Sequence, residues 1–170
     1  MSTPQLYQTF SEYNIWMNGR LYAVCGELDD AARKADRGAF FGSIHSSLNH
    51  VLFGDRAWMG RFTGRDYGVK PIGQDLYEDF DALKAARLEM DDEIKSWTTS
   101  LDVDWLTQDF VWKSGIDGKT RRQPTWVLVS HMFNHQTHHR GQVTTLLSQL
   151  GKDIGSTDLP WGPYMQPDGG

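Results

Sequence analysis

Four stretches with helical hydrophobic spacing, each about 20 residues or longer, fill most of the chain and leave room for little besides a helical bundle. The first, residues 5–28, opens behind Pro4, which suits a helix start, and carries Phe10, Ile15, Leu21 and Val24 among good helix formers. The second, residues 43–62, has Ser43 in position to cap it and Gly64 just beyond its end. Within it Ile44, Leu48, Val51, Leu52, Trp58, Met59 and Phe62 recur at helical spacing. The third, residues 75–100, places Asp75, Glu78 and Asp79 near its positive N-terminal end. The fourth, residues 124–150, runs between Pro124 and Gly151. No internal repeat or low-complexity tract interrupts them, and 170 residues suit one domain, residues 1–170, with a single core. The expected fold class is all-α, a four-helix bundle.

Two connections are longer than a minimal bundle needs, residues 63–74 and 101–123. In the second, Asp109-Phe110-Val111-Trp112-Lys113 mixes aromatic and β-branched residues, and the turn-like Gly115-Ile116-Asp117-Gly118 follows. That pattern predicts a small β-hairpin between the third and fourth helices. The segment after Leu150 holds Pro160, Pro163 and Pro167 and is expected to be irregular, with Trp161 and Tyr164 available to anchor it.

Composition removes several classes of function. At 39% hydrophobic and 23% charged residues the chain is expected to fold. No stretch approaches the roughly 20 apolar residues of a membrane span, so no membrane association is expected. Met1-Ser2-Thr3-Pro4 shows no basic patch followed by an apolar run, so no signal peptide is expected. A lone cysteine, Cys25, makes no internal disulfide and suits a reducing compartment, hence a cytoplasmic location; on the first helix it reads as a small buried hydrophobe. A net charge of −5, from 17 basic and 22 acidic side chains, argues against binding nucleic acid through its phosphates.

Histidine placement is the strongest chemical signal. Four of six histidines fall between His131 and His139. With about 100° of rotation per residue, Leu128, Met132, Val143, Leu146 and Leu150 draw the apolar face of the fourth helix. On that wheel His139 and His135 turn inward, while His131 and His138 point away. One inward histidine is usually a hydrogen-bonded core residue. Two, one turn apart, each need a polar partner, and they can converge on a metal ion. Gln136 stands where a zincin protease would carry its glutamate, which disfavours that class. A third ligand must come from elsewhere, and the choices are His45 and His50. The wheel sets His45 at one edge of the second helix's apolar arc and His50 further out, so periodicity does not select His50.

Three blocks resemble the DinB/YfiT-like family of metal-dependent bundle proteins, across nearly the whole chain. The first is Tyr13-Asn14-Ile15-Trp16-Met17-Asn18-Gly19-Arg20-Leu21. The second is Ser43-Ile44-His45-Ser46-Ser47-Leu48-Asn49-His50 with Asp55 and Trp58. The third and most specific is His131-Met132-Phe133-Asn134-His135-Gln136-Thr137-His138-His139-Arg140-Gly141-Gln142. The resemblance implies an up-down-down-up bundle, homodimer formation, and a divalent metal held by His50, His135 and His139. It also brings in relatives that act as thiol-dependent transferases or isomerases.

Three imidazoles suit zinc or nickel, and also iron, and leave a coordination position open. An ion so held lowers the pKa of water toward about 7, or activates a thiolate. The expected function is therefore a divalent-metal-dependent enzyme, a hydrolase or thiol-dependent transferase acting on a small molecule. The alternative is a non-catalytic stress-response or interaction protein with a structural metal. No catalytic residue is assigned. Glu12 and Asp55 are the carboxylates weighed as a base, beside a solvated or capping role. His131 is weighed as a support for the ligands, and His138 as exposed. Arg140 is weighed as an anion anchor or, preferably, as the partner of an acid on another helix. Asn14 and Asn18 suit either the cavity or inter-helix hydrogen bonds. Most of the seven tryptophans are expected in the core or a dimer interface, with Trp105 and Trp112 placed to roof a pocket. The acidic run from Asp75 to Asp104 reads as a solvated helix face.

Overall fold

A computed structural model describes residues 3–69, 71, 73–115 and 117–165. Four long helices dominate it: α1 (Thr3–Gly26), α3 (Ile44–Thr63), α4 (Phe80–Thr99) and α6 (Thr125–Gln149). Between them lie the short helices α2 (Asp30–Lys34) and α5 (Val103–Thr107) and one antiparallel hairpin of β1 (Asp109–Lys113) and β2 (Thr120–Pro124).

Contacts between helices define their directions. Ser11 meets Thr98 and Asn18 meets Asp91, so α1 and α4 are antiparallel. Trp58 packs on His131 and His50 on His135, so α3 and α6 are antiparallel. Tyr7 shares a hydrogen bond with Ser130 while Asn14 donates to Gln136, so α1 and α6 run together. Asp55 pairs with Arg87 and Phe62 stacks on Trp97, so α3 and α4 run together. The order is up-down-down-up, as the family resemblance implies. One apolar core runs through all four helices, with Leu21, Leu52, Leu83 and Val143 among its fully buried members.

Helix ends follow capping chemistry. The Ser43 side chain accepts from Ser46 N at the start of α3, and Gly64, at φ 74°, closes it in the left-handed conformation. The expected start of the third long helix at Asp75 is corrected to Phe80. Asp79 accepts from Ala82 N and caps the helix there, while the backbone of Tyr77 is already committed to α3. Its carbonyl is bonded by His45 and Asn49, and its N–H donates to Asn49 Oδ1 at 2.9 Å. His45 is thus a buried, hydrogen-bonded residue of the core. The helices α2 and α5, capped by Asp29 and Asp102, were not expected from the sequence.

The expected hairpin is present, pairing Asp109 with Pro124 and Lys113 with Thr120. Of its expected turn, Ile116 lies outside the described residues, as do Pro167 in the tail and Met1 and Ser2. The tail forms two 3₁₀ turns, Leu159–Trp161 and Pro163–Met165. Tyr164 anchors it edge-on to Trp16, and Tyr13 Oη donates to Thr157 O at 2.7 Å. Trp161 does not anchor it: at 69% exposure it lies outside the core, as does Trp126 at 50%, which leaves for these two the dimer-interface half of that expectation. Cys25 is buried, and burial pushes its thiol up to about 12, which suppresses its reactivity. Among the described residues no helix is long and apolar enough to cross a membrane.

Candidate metal centre

The α3–α6 seam brings His50, His135 and His139 together. One nitrogen from each lies within 4.8 Å of the others. His50 Nε2 and His135 Nε2 are 3.0 Å apart. Two nitrogens each bound to zinc at roughly 2.1 Å stand about 3.4 Å apart at a tetrahedral angle, and somewhat closer at a narrower angle, so this spacing fits two ligands of one ion. The inward turn of His135 and His139 matches the wheel. His50 lies off the main apolar stripe of α3, but in a bundle that position faces the neighbouring helix, here α6.

Side chains around the cluster set ring orientation. His139 Nδ1 donates to Gln142 Oε1 at 2.8 Å, which leaves Nε2 as its ligating atom. Phe41, in the loop before α3, stacks on His50 with ring centroids 3.8 Å apart and meets His139 edge-on. Gly54, one turn beyond His50, leaves room for the His135 ring: a Cβ there would stand 2.6 Å from His135 Cε1.

The electrostatics favour neutral imidazole. Burial, followed by the neighbouring His139, lowers His50 to about 4. Burial, then His139 and His50, lowers His135 to about 3. Burial also lowers His139, against the opposing Gln142 hydrogen bond. At neutral pH all three rings are uncharged, each with one N–H and one nitrogen lone pair free for a metal ion, the state a metal ligand requires. The donor set, the cradle at Gly54 and the oriented His139 together fit a divalent ion.

A buried polar chain fixes the helices beneath the histidines. Gln136, fully buried, donates to Asp55 Oδ1 at 2.6 Å and accepts from Asn14. Asp55 pairs with Arg87, whose other nitrogen pairs with Asp91 at 2.9 Å, and Asn18 donates to Asp91. Burial pushes both carboxyls upward while the Arg87 guanidinium opposes it. Because Gln136 adjoins His135, this chain locks the rotation of α6 that turns His135 toward α3. Asn14 and Asn18 therefore serve inter-helix hydrogen bonds.

Several sequence expectations change here. Asp55 is consumed by Arg87 and Gln136, and Glu12 lies 3.7 Å from Lys95 between α1 and α4, so neither carboxylate lines the cavity. Arg140 is 4% exposed, sits over the Tyr13 ring and donates to Thr137; among the described residues it has no ion pair, so the preferred partnership with an acid is corrected. Arg87 and Asp91, inside the acidic run read as solvated, are buried. His138 is exposed as expected. His131 packs on Trp58 and lines the cavity, and among the described residues it makes no hydrogen bond to the three histidines.

A cavity of about 520 Å³ opens beside the cluster, lined by His50, Phe53, Gly54, Ala57, Trp58, Arg61, Val69, Pro71, Trp112, Ser114, Gly115, Arg121, His131 and His135. Trp112 roofs it from the hairpin. Trp105 does not: it packs against Phe62, Trp97 and Phe110 instead. Gly54, Gln142, Phe41 and Arg61 were missed from sequence. Gly54, a glycine inside a helix four residues after His50, carried a readable signal.

An up-down-down-up bundle with three convergent histidines on one helix seam defines a class of helical proteins positioned to bind a metal ion. The model of the DinB family matches residues 1–170, and the chain belongs to that family. It is also similar to "Protein DinB" of Bacillus subtilis (strain 168), 27% identical over 163 residues that span 91% of this chain and 90% of that protein.

Proposed function

We propose that this protein is a divalent-metal-dependent enzyme acting on a small molecule, as a hydrolase or a thiol-dependent transferase. The observation that carries this reading is the placement of His50 and His135 in the wall of the cavity, within reach of His139. A divalent ion held there supplies Lewis-acid activation of a water or thiol. The protein's own residues do the rest. His50, His135 and His139 offer neutral imidazole, Gln142 orients His139, and Phe41 shields one face of His50 from water. The aromatic walls contributed by Phe53, Trp58 and Trp112 exclude solvent and hold an apolar group. Imidazole donors suit zinc and nickel, and also accept iron.

Metal analysis of protein purified without a polyhistidine tag tests the reading. About one equivalent of divalent metal is expected in the wild type and little in His135→Ala. Less than one-half equivalent in both would end it.

The same three ligands tie α3 to α6, which also favours a structural role for the metal in a non-catalytic protein. In that case chelation lowers the melting temperature by several degrees, and no substrate panel shows turnover that depends on His50. Homodimer assembly in the cytoplasm belongs to the same proposal, and sedimentation velocity reads the assembly directly.

A further inference from the structure

The cavity has a second chemical end. On α3, His50, Gly54, Trp58 and Arg61 follow one another at spacings of four, four and three residues, so they share a face. Eleven residues of helix separate His50 from Arg61, about 16 Å along the axis. The Arg61 guanidinium lies over the Trp58 ring, 4.5 Å from its centroid. Trp58 in turn meets Trp112 of the hairpin at 5.8 Å.

Two arginines reach this cavity, and they differ. Arg121 is paired with Asp117 at 2.7 Å, which neutralises it. Arg61 is half-buried and, among the described residues, has no carboxylate partner. Burial also holds its pKa below the ordinary range. A partly dehydrated guanidinium facing a cavity is complemented by an anion, and its planar fork matches a carboxylate. One uncompensated positive charge matches one negative charge. The flat apolar walls between the two ends match an aromatic body.

We propose that the cavity binds an aromatic monocarboxylate lengthwise, with its carboxylate on Arg61, its ring against Trp58 and Trp112, and its far end toward His50 and His135. Only the assignment of that far end as the reacting one rests on the metal-centre reading above.

Calorimetric titration of the untagged, metal-loaded protein with 2-naphthoate and its neutral counterpart 2-naphthamide tests this. The acid is expected to bind at least about tenfold more tightly than the amide, as a charge-assisted pair requires. In Arg61→Gln, or in Arg61→Met should the first variant fold poorly, the preference should fall to about twofold or less. Metal content should stay unchanged. Arg61→Lys should keep part of the preference. The preference should also persist after treatment with EDTA, which separates an anion on Arg61 from one on the ion. A preference that survives loss of the Arg61 charge, disappears with the metal, or is absent in the wild type overturns the proposal. If the untreated wild type holds no metal even after loading but keeps the preference, the metal-centre reading fails and this one stands.

Discussion

Gly54 stands against the edge of the His135 ring with no space for a side chain between them. A Cβ at that position would lie 2.6 Å from Cε1 and 2.9 Å from Nδ1. Inside a helix, alanine is favoured over glycine by about 1 kcal/mol, so local propensity argues against glycine here. Gly54→Ala should therefore keep its helix content and push His135 out of register with His50 and His139. Metal affinity, read by competition with a chromogenic chelator, should fall at least about tenfold, the scale expected when a ligand's orientation is lost. Wild-type affinity in this variant would show that the ring does not need that space.

Gln142 acts on the opposite side of the cluster. Its Oε1 accepts from His139 Nδ1 at 2.8 Å, and its Nε2 donates to His138 at 3.2 Å. Without the acceptor, His139 can rotate or change tautomer. Gln142→Ala should cost roughly 10- to 100-fold in metal affinity. Thermal stability of the metal-free protein should barely move, because Gln142 contributes little to the core. Substituting His138, which is exposed, should leave metal affinity nearly unchanged, and the contrast between the two isolates the bond to His139.

The buried Asp55–Arg87–Asp91 chain concerns stability rather than chemistry. Arg87 is 1% exposed and pairs with both acids. Removing it leaves two carboxyls buried without their cation, a change that costs about 3–5 kcal/mol in comparable settings. Arg87→Met should lower the urea midpoint accordingly. Asn18→Ala removes only one donor to Asp91 and should cost about 1–2 kcal/mol. Equal losses in the two variants would mean that the ion pairs contribute no more than a single hydrogen bond.

That chain also marks where sequence reading ends. The helices were legible because Leu48, Val51, Leu52 and Met59, or Leu128, Met132 and Val143, repeat at the helical period. His135 and His139 were legible for the same reason. His50 was not: it faces the neighbouring helix from beside the main stripe, and only the family resemblance selected it. Arg87 and Asp91 were hidden because their run is mostly acidic, and four residues of spacing describe a solvated pair as well as a buried one. The start of α4 was misplaced because Asp75, Glu78 and Asp79 all suit a helix N-terminus. What decides among them is tertiary: His45 and Asn49 bind the Tyr77 backbone and hold residues 75–79 outside the helix.

The depressed histidines make the metal-free protein acid-sensitive in a defined window. An unfolded chain protonates its imidazoles near pH 6.5. In the folded protein His50 resists until about 4 and His135 until about 3. Above pH 6.5 both states hold these rings neutral, and the full stability is present. As pH falls from 6.5 toward 4 the unfolded chain binds more protons than the folded one, so stability must decline. Differential scanning calorimetry of EDTA-treated protein should show the melting temperature dropping through this interval. A His50→Asn/His135→Asn variant should drop less over the same interval, since it lacks both groups. Carboxylates titrate in both proteins, so the difference between the curves isolates the histidines. Metal-loaded protein should fall more steeply than either, because protons there displace the ion as well. Parallel curves for the metal-free wild type and the double variant would mean that these two rings are as readily protonated folded as unfolded.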